Sequence, residues 1–308
     1  MNVKKGGEMN RKILTASIVL LSILLILGCG GGTKIQMPEG GVKLSYKPAV
    51  GKSFQYRTVV QKYIQSSQQG TSVSRLVKGD VYFTLDVLDA GDGGAATMKY
   101  KFTDVGVGVF VNNQIQSSED VESMKNLEFT VILDTAGSID SIDGLDLEEE
   151  YKKKNISPSE FILDFPIPNK NITLGYSWHK EQDTTIVGED GTDTVVQKTS
   201  VDYKINDFVM FEGRKCVVCN LNGTVNIMQK GESEDEDGTT YDIDMTMNGD
   251  IKGTIYFDID NGVVVRYESN RMIDVKGSQV NTDTGEKEPI VYYNQETLDA
   301  RLQVSEVK

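Results

Sequence analysis

Ile251-Lys252-Gly253-Thr254-Ile255-Tyr256-Phe257, then Asp260-Asn261-Gly262, then Val263-Val264-Val265-Arg266-Tyr267 is the stretch that decides the fold class. Apolar residues recur with a period near two and are rich in β-branched and aromatic types, as in strands whose side chains alternate between faces. The Asn-Gly pair between the runs is the mark of a tight hairpin turn. Working outward, Ser53-Phe54-Gln55-Tyr56-Arg57 and Val81-Tyr82-Phe83-Thr84-Leu85-Asp86-Val87 repeat the pattern. Ala90-Gly91-Asp92-Gly93-Gly94 and Glu189-Asp190-Gly191 supply further turns. The expectation is an all-β chain, mainly antiparallel, built as a curved sheet or open barrel.

Helical signals are confined to one region. Glu148/Lys152, Glu149/Lys153 and Glu150/Lys154 are favourable i,i+4 pairs within Asp146–Asn155. Ser157-Pro158-Ser159-Glu160 then offers an N-cap, a proline at the first helical position and a glutamate at the third. Phe165-Pro166-Ile167-Pro168 ends the run. Residues 145–168 thus read as a short helical insertion connecting two β-rich halves, 42–144 and 169–308.

The halves echo one another. Gly51-Lys52-Ser53-Phe54 matches Gly175-Tyr176-Ser177-Trp178, Val81–Leu85 matches Val201–Ile205, and Val131–Gly137 matches Tyr256–Gly262. An internal duplication is one reading of this echo, and chance likeness between strands is the other.

The N-terminus carries a different signal. Arg11-Lys12 precedes the apolar run Ile13–Leu27, and Gly28-Cys29 follows it, with Gly30-Gly31-Gly32 behind. A basic start, a short apolar core, a small residue and a cysteine have the form of a bacterial lipoprotein signal. The apolar run is short of the roughly 20 residues that span a bilayer. The resemblance implies cleavage between Gly28 and Cys29, after diacylglycerol is joined to the Cys29 thiol. Residues 1–28 are then a signal peptide and 29–41 a flexible tether. By the same resemblance, Gly30 after the cysteine favours the outer membrane where a cell has two membranes.

Cleavage would leave 280 of 308 residues, ample for a sizeable β core. Removing Lys4, Lys5, Glu8, Arg11 and Lys12 with the signal takes the formal charge from −14 to −17. So acidic a body argues against nucleic acid as a partner.

Gly51-Lys52-Ser53-Phe54, Leu133-Asp134-Thr135-Ala136-Gly137-Ser138-Ile139 and Leu174-Gly175-Tyr176-Ser177-Trp178, in that order, resemble a family of bacterial envelope lipoproteins of unknown function. That family is similar in outline to the LolA/LolB-like open barrels, in which a curved antiparallel sheet cradles lipid. The resemblance brings no catalytic residues.

Four features invite a chemical reading. Cys216-Val217-Val218-Cys219 has redox spacing but strand flanks, and odd spacing on a strand sends the thiols to opposite faces. Packing thiols are expected, with a disulfide after local bending as the alternative. His179, the sole histidine, has no recognisable nucleophile context and reads as a surface or part-buried residue. Ser177-x-x-Lys180 matches a penicillin-binding motif in letters only, because no Lys-Thr-Gly partner exists. Ser233, Asp235, Asp237, Gly238 and Asp244 fall at calcium-loop positions, but Asp244 stands where a bidentate Glu belongs. Glu232–Gly238 is expected to be a solvated hairpin loop, with weak calcium association as the alternative.

Phe54, Tyr56, Tyr82, Phe83, Tyr203, Phe208, Phe211, Tyr256 and Phe257 either line a concave apolar cavity or fill a closed core. The expected function is that of a lipid-anchored envelope protein, not an enzyme and without a cofactor. It acts as a binding module that accommodates an apolar ligand or, alternatively, docks an envelope protein. A hydrolase ranks behind both.

Overall fold

The computed structural model describes residues 32–68, 71–91, 95–112, 114–116, 124–145, 158–163, 165–187, 194–234 and 239–304. Cys29, the Asp146–Asn155 helix and the centre of the acidic run, 235–238, lie outside these.

The first half holds β1 (Thr33–Lys34), β2 (Val42–Lys43), β3 (Ser53–Gln68), β4 (Thr71–Ala90) and β5 (Ala96–Val111). It continues through β6 (Gln114–Gln116), β7 (Glu128–Leu133) and β8 (Ile139–Asp143). After a 3-10 turn at Pro158–Phe161 come β9 (Asn171–Ile172), β10 (Ser177–Val187), β11 (Thr194–Phe211) and β12 (Arg214–Glu234). β13 (Thr240–Asp258), β14 (Val263–Asn281) and β15 (Lys287–Val304) complete the order. The fold is all-β and antiparallel, as the alternation requires. The helical insertion is reduced, among the described residues, to the single turn begun by Pro158.

Thirteen strands form one sheet in the order β1-β11-β12-β13-β14-β15-β3-β4-β5-β7-β8, with β10 also on β11 and β6 on β5. Its two edges do not pair, so the sheet is open rather than a closed barrel. β2 and β9 make a separate small ladder. β3-β4-β5-β7-β8 and β10-β11-β12-β13-β14 are both simple meanders, and β15 joins them by pairing with β14 and β3. The register refines the echo between the halves. Phe54 faces Leu85 and Trp178 faces Tyr203, so the hairpins align Leu85 with Tyr203, two residues from the match read in sequence.

The strands are long enough to have two distinct ends. One, the base, carries the β11–β12 and β13–β14 turns and β1. The other carries the tips of the β3–β4, β10–β11, β12–β13 and β14–β15 hairpins. Along β3, Phe54, Tyr56, Thr58, Val60 and Lys62 point inward and are buried, while Arg57, Val59 and Gln61 point to solvent. Inward residues of both halves form one continuous core. Tyr56, Phe83, Tyr100 and Phe129 stack from β3 to β7 with ring centroids 5.3, 5.6 and 5.0 Å apart. Trp178 and Tyr203 stack at 5.2 Å in the other half.

The segment Leu44–Lys47 closes the base by passing between two equivalent turns. Asp134 Oδ1 accepts from the amides of Ala136 and Ser138, and Asp258 Oδ1 from those of Asp260 and Asn261. Each turn carries a glycine in the left-handed region, Gly137 at φ 72° and Gly262 at φ 64°. A Cβ on Gly137 would sit 2.2 Å from the Tyr46 ring, and one on Gly262 would sit 2.5 Å from the Lys47 amide nitrogen. Only glycine lets the threaded segment come so close.

Candidate functional site

The concave face is the first place to look for a ligand, and the chain itself occupies it. Residues 158–163 and 165–168 run across this face as a strap. Phe161, fully buried, meets Phe102 and Phe83 at 5.6 and 6.3 Å. Phe165, also fully buried, meets Phe257, Trp178 and Tyr203 at 5.4, 5.9 and 6.1 Å. One phenyl ring thus fills each half of the trough. The strap has too little regular structure to satisfy its own polar groups, so the sheet does it. The Leu163 amide donates to the Tyr100 hydroxyl at 3.1 Å, Trp178 Nε1 donates to the Pro166 carbonyl at 3.0 Å, and the Ile167 amide donates to the Ala136 carbonyl at 2.6 Å. Of the two uses open to the strand aromatics, the filled core is the one found for Phe54, Tyr56, Phe83 and Phe257, none more than 2 % exposed.

Beneath the strap lies a group of ions. Lys62, Glu296 and Arg271 are register neighbours on β3, β15 and β14, and all three belong to the inward face. Lys62 Nζ donates to Glu160 Oε1 of the strap and lies 3.6 Å from Glu296 Oε2, whose other oxygen is 3.7 Å from Arg271. Burial pushes the Glu160 carboxyl up to about 7, and Lys62 only partly opposes this. For Lys62, burial pulls downward, but Glu160 and Glu296 together outweigh it and hold the ammonium above its ordinary value. Among the described residues, Glu160 Oε2, Glu296 Oε1, Arg271 Nε and the buried Thr58 hydroxyl have no hydrogen-bond partner. The group ties strap to sheet, and its unmet hydrogen bonds make the attachment costly. No motif announced it. Its members are scattered over residues 62 to 296, and only the register brings them together.

Open volume lies instead on the outer face. A recess of about 640 Å³ crosses β13, β14, β15 and β3, with Val59, Gln61, Lys252, Glu268, Asn270 and Asp299 among its walls. A second, of about 450 Å³, adjoins it through Val59 and Asp299 and adds Arg57, Glu212 and Arg301. Several charges here are already matched. Arg57 pairs with Asp80 at 2.6 Å, Arg266 bridges Glu268 and Asp299, and Arg301 pairs with Asp299 at 2.8 Å. Such a surface offers both donors and acceptors.

The residues singled out from sequence do not converge. Cys216 and Cys219 are free thiols on β12, each fully buried, and burial pushes both up to about 12. They are packing residues, held as unreactive thiols. His179 is exposed on the edge strand β10, where Nδ1 lies 2.9 Å from Asp202 Oδ1, its register partner. That hydrogen bond, with a weaker one to Glu181, raises the imidazole above its ordinary value. Ser177 and Lys180 share β10 with it, away from the strap's ion group. Of the acidic run, Glu232–Glu234 form the end of β12, paired with β13, rather than a loop, and the calcium reading of Ser233–Asp244 rests in part on residues 235–238, which are not described. Among the described residues no group of three or more His, Cys, Asp or Glu side chains is placed to hold a metal.

No protein-family model matches the chain, and no curated protein does. Among solved structures it is similar to the COG4313 outer membrane channel from Pseudomonas putida F1, at 10 % identity and TM-score 0.20, covering 87 % of this chain and 100 % of that one. It is also similar to OccK5 (OpdH) of Pseudomonas aeruginosa, at 7 % identity and TM-score 0.21 over 83 % of this chain and 100 % of that one. Likeness this slight carries no argument about what the chain does.

Proposed function

We propose that this chain is a lipid-anchored protein of the cell envelope, tethered through diacylglycerol on Cys29, that serves as a non-catalytic docking module for another envelope protein. Where the cell has two membranes, Gly30 favours the outer one. One observation separates this from the apolar-ligand reading. Phe161 and Phe165 occupy both halves of the aromatic trough, and the open volume lies on the outer face, where charged side chains mix with apolar ones. A lipid would have to enter where the strap now sits.

The test is an intact-mass measurement on protein extracted from its own membranes, followed by native mass spectrometry. Docking by a lipidated module expects the diacylglyceryl mass on an N-terminal Cys29 and a body free of bound lipid. An unmodified Cys29 overturns the anchor. A body that carries stoichiometric lipid restores the apolar-ligand reading.

A further inference from the structure

We propose that the base of the sheet is a membrane-docking face, laid against the bilayer that holds the Cys29 lipid. The proposal rests on the anchor reading above and adds an orientation to it.

Within the expected tether 29–41, Thr33–Lys34 are already paired with β11, so the remaining leash is too short for the body to tumble freely. Thr33, the first residue of β1, follows Cys29 by four positions, so the Cys29 backbone lies at most about 14 Å from it, at 3.3–3.6 Å per residue. β1 is fixed to the base, with Thr33 opposite Met210 at the end of β11 and the Ile35 amide donating to the Phe208 carbonyl at 2.9 Å. Whatever holds Cys29 therefore lies near the base and far from the hairpin tips.

The base is dressed for that neighbour. Val50, Leu88 and Leu174 are 58, 50 and 59 % exposed. They sit at the same end, since the Gly51 amide bonds the Val87 carbonyl where β3 meets β4, and the Gly175 amide bonds the Ile205 carbonyl where β10 meets β11. Val50 and Leu174 each precede a glycine at φ 80° that opens a meander, so the two halves present an apolar side chain at corresponding points. Along the base segment, Val42, Leu44 and Tyr46 turn inward while Lys43 and Lys47 turn outward, and exposed Lys170 follows the strap. Apolar tips among flexible lysines suit the boundary between acyl chains and headgroups, although exposed Asp89, Glu212 and Asp260 share this end. The far end also exposes apolar side chains, Val73, Ile115, Val187 and Val291, and carries Asp242, Asp244, Asp283 and Glu286 beside Lys230 and Lys287; what sets the base apart is its place beside Cys29.

The test uses the full chain, expressed, lipidated and reconstituted into vesicles of phosphatidylcholine and phosphatidylglycerol. Val50→Cys, Leu88→Cys, Leu174→Cys and the tip reference Val187→Cys each receive a fluorescent label, with the native Cys216 and Cys219 thiols buried. Lipids carrying nitroxides on the acyl chains should quench the three base labels several-fold more than the label at 187. Equal, weak quenching at all four sites on protein whose Cys29 carries the diacylglyceryl mass overturns the orientation alone. A Cys29 without that mass overturns the anchor.

Discussion

Lys62 and Glu296 face each other across β3 and β15, ammonium and carboxylate 3.6 Å apart, with side chains only 10 % and 7 % exposed. A pair this buried adds little net stability when intact, because desolvation offsets the attraction. Breaking it is another matter. Lys62→Met leaves Glu160 and Glu296 without their shared cation, and the expected cost is about 3–5 kcal/mol, the range for an uncompensated buried charge. Urea unfolding at pH 8, above the Glu160 value of about 7, measures it. A loss within experimental error would remove the ion group from the account of how the strap is held.

Glu160 makes the strap's attachment depend on pH. Its folded-state value of about 7 lies above the ordinary 4.5, so between these values the folded chain binds a proton that the unfolded chain releases. Stability should fall as pH rises through that window and level off above it. Glu160→Gln cannot titrate, so its melting temperature should drop less between pH 5 and pH 8 than that of the parent chain. Subtracting the two curves cancels the other titrating groups. A difference of the opposite sign would show that Lys62 dominates and Glu160 is held ionised.

Phe165 bears on three rings at once. Phe165→Ala should cost about 3–5 kcal/mol in chemical denaturation, as truncation of a buried phenylalanine does. Trp178, the sole tryptophan, lies 5.9 Å from it, so its emission should shift to the red as water enters. An unchanged spectrum together with a small loss would mean that the strap is not seated in this trough.

Much of the sheet was legible because strands announce themselves locally. The Asn261-Gly262 turn forms with Gly262 at positive φ, flanked by β13 and β14 as the alternation requires. The odd spacing of Cys216 and Cys219 predicted opposite faces, yet both are fully buried in the one core, opposite Val209 and Ile205 of β11. The strap was not legible in the same way. Phe165-Pro166-Ile167-Pro168 has neither strand nor helix period, so its prolines marked a boundary while the burial of Phe165 left no local trace. Lys62 looked like any solvated lysine on an alternating strand. Its burial follows from Glu296 and Arg271, which lie more than two hundred residues away in sequence.

The central seam of the sheet joins the last strand of the chain to the first long one, β15 to β3. Neither meander can acquire its inner neighbour until synthesis has delivered the final segment, and until then β14 and β3 both present naked edges sixteen or more residues long. Closure across so large a separation is slow by its nature. A chain cut short before Lys287 would therefore lose more than one strand. It would be left as two unjoined sheets, each offering a sticky border to its twin.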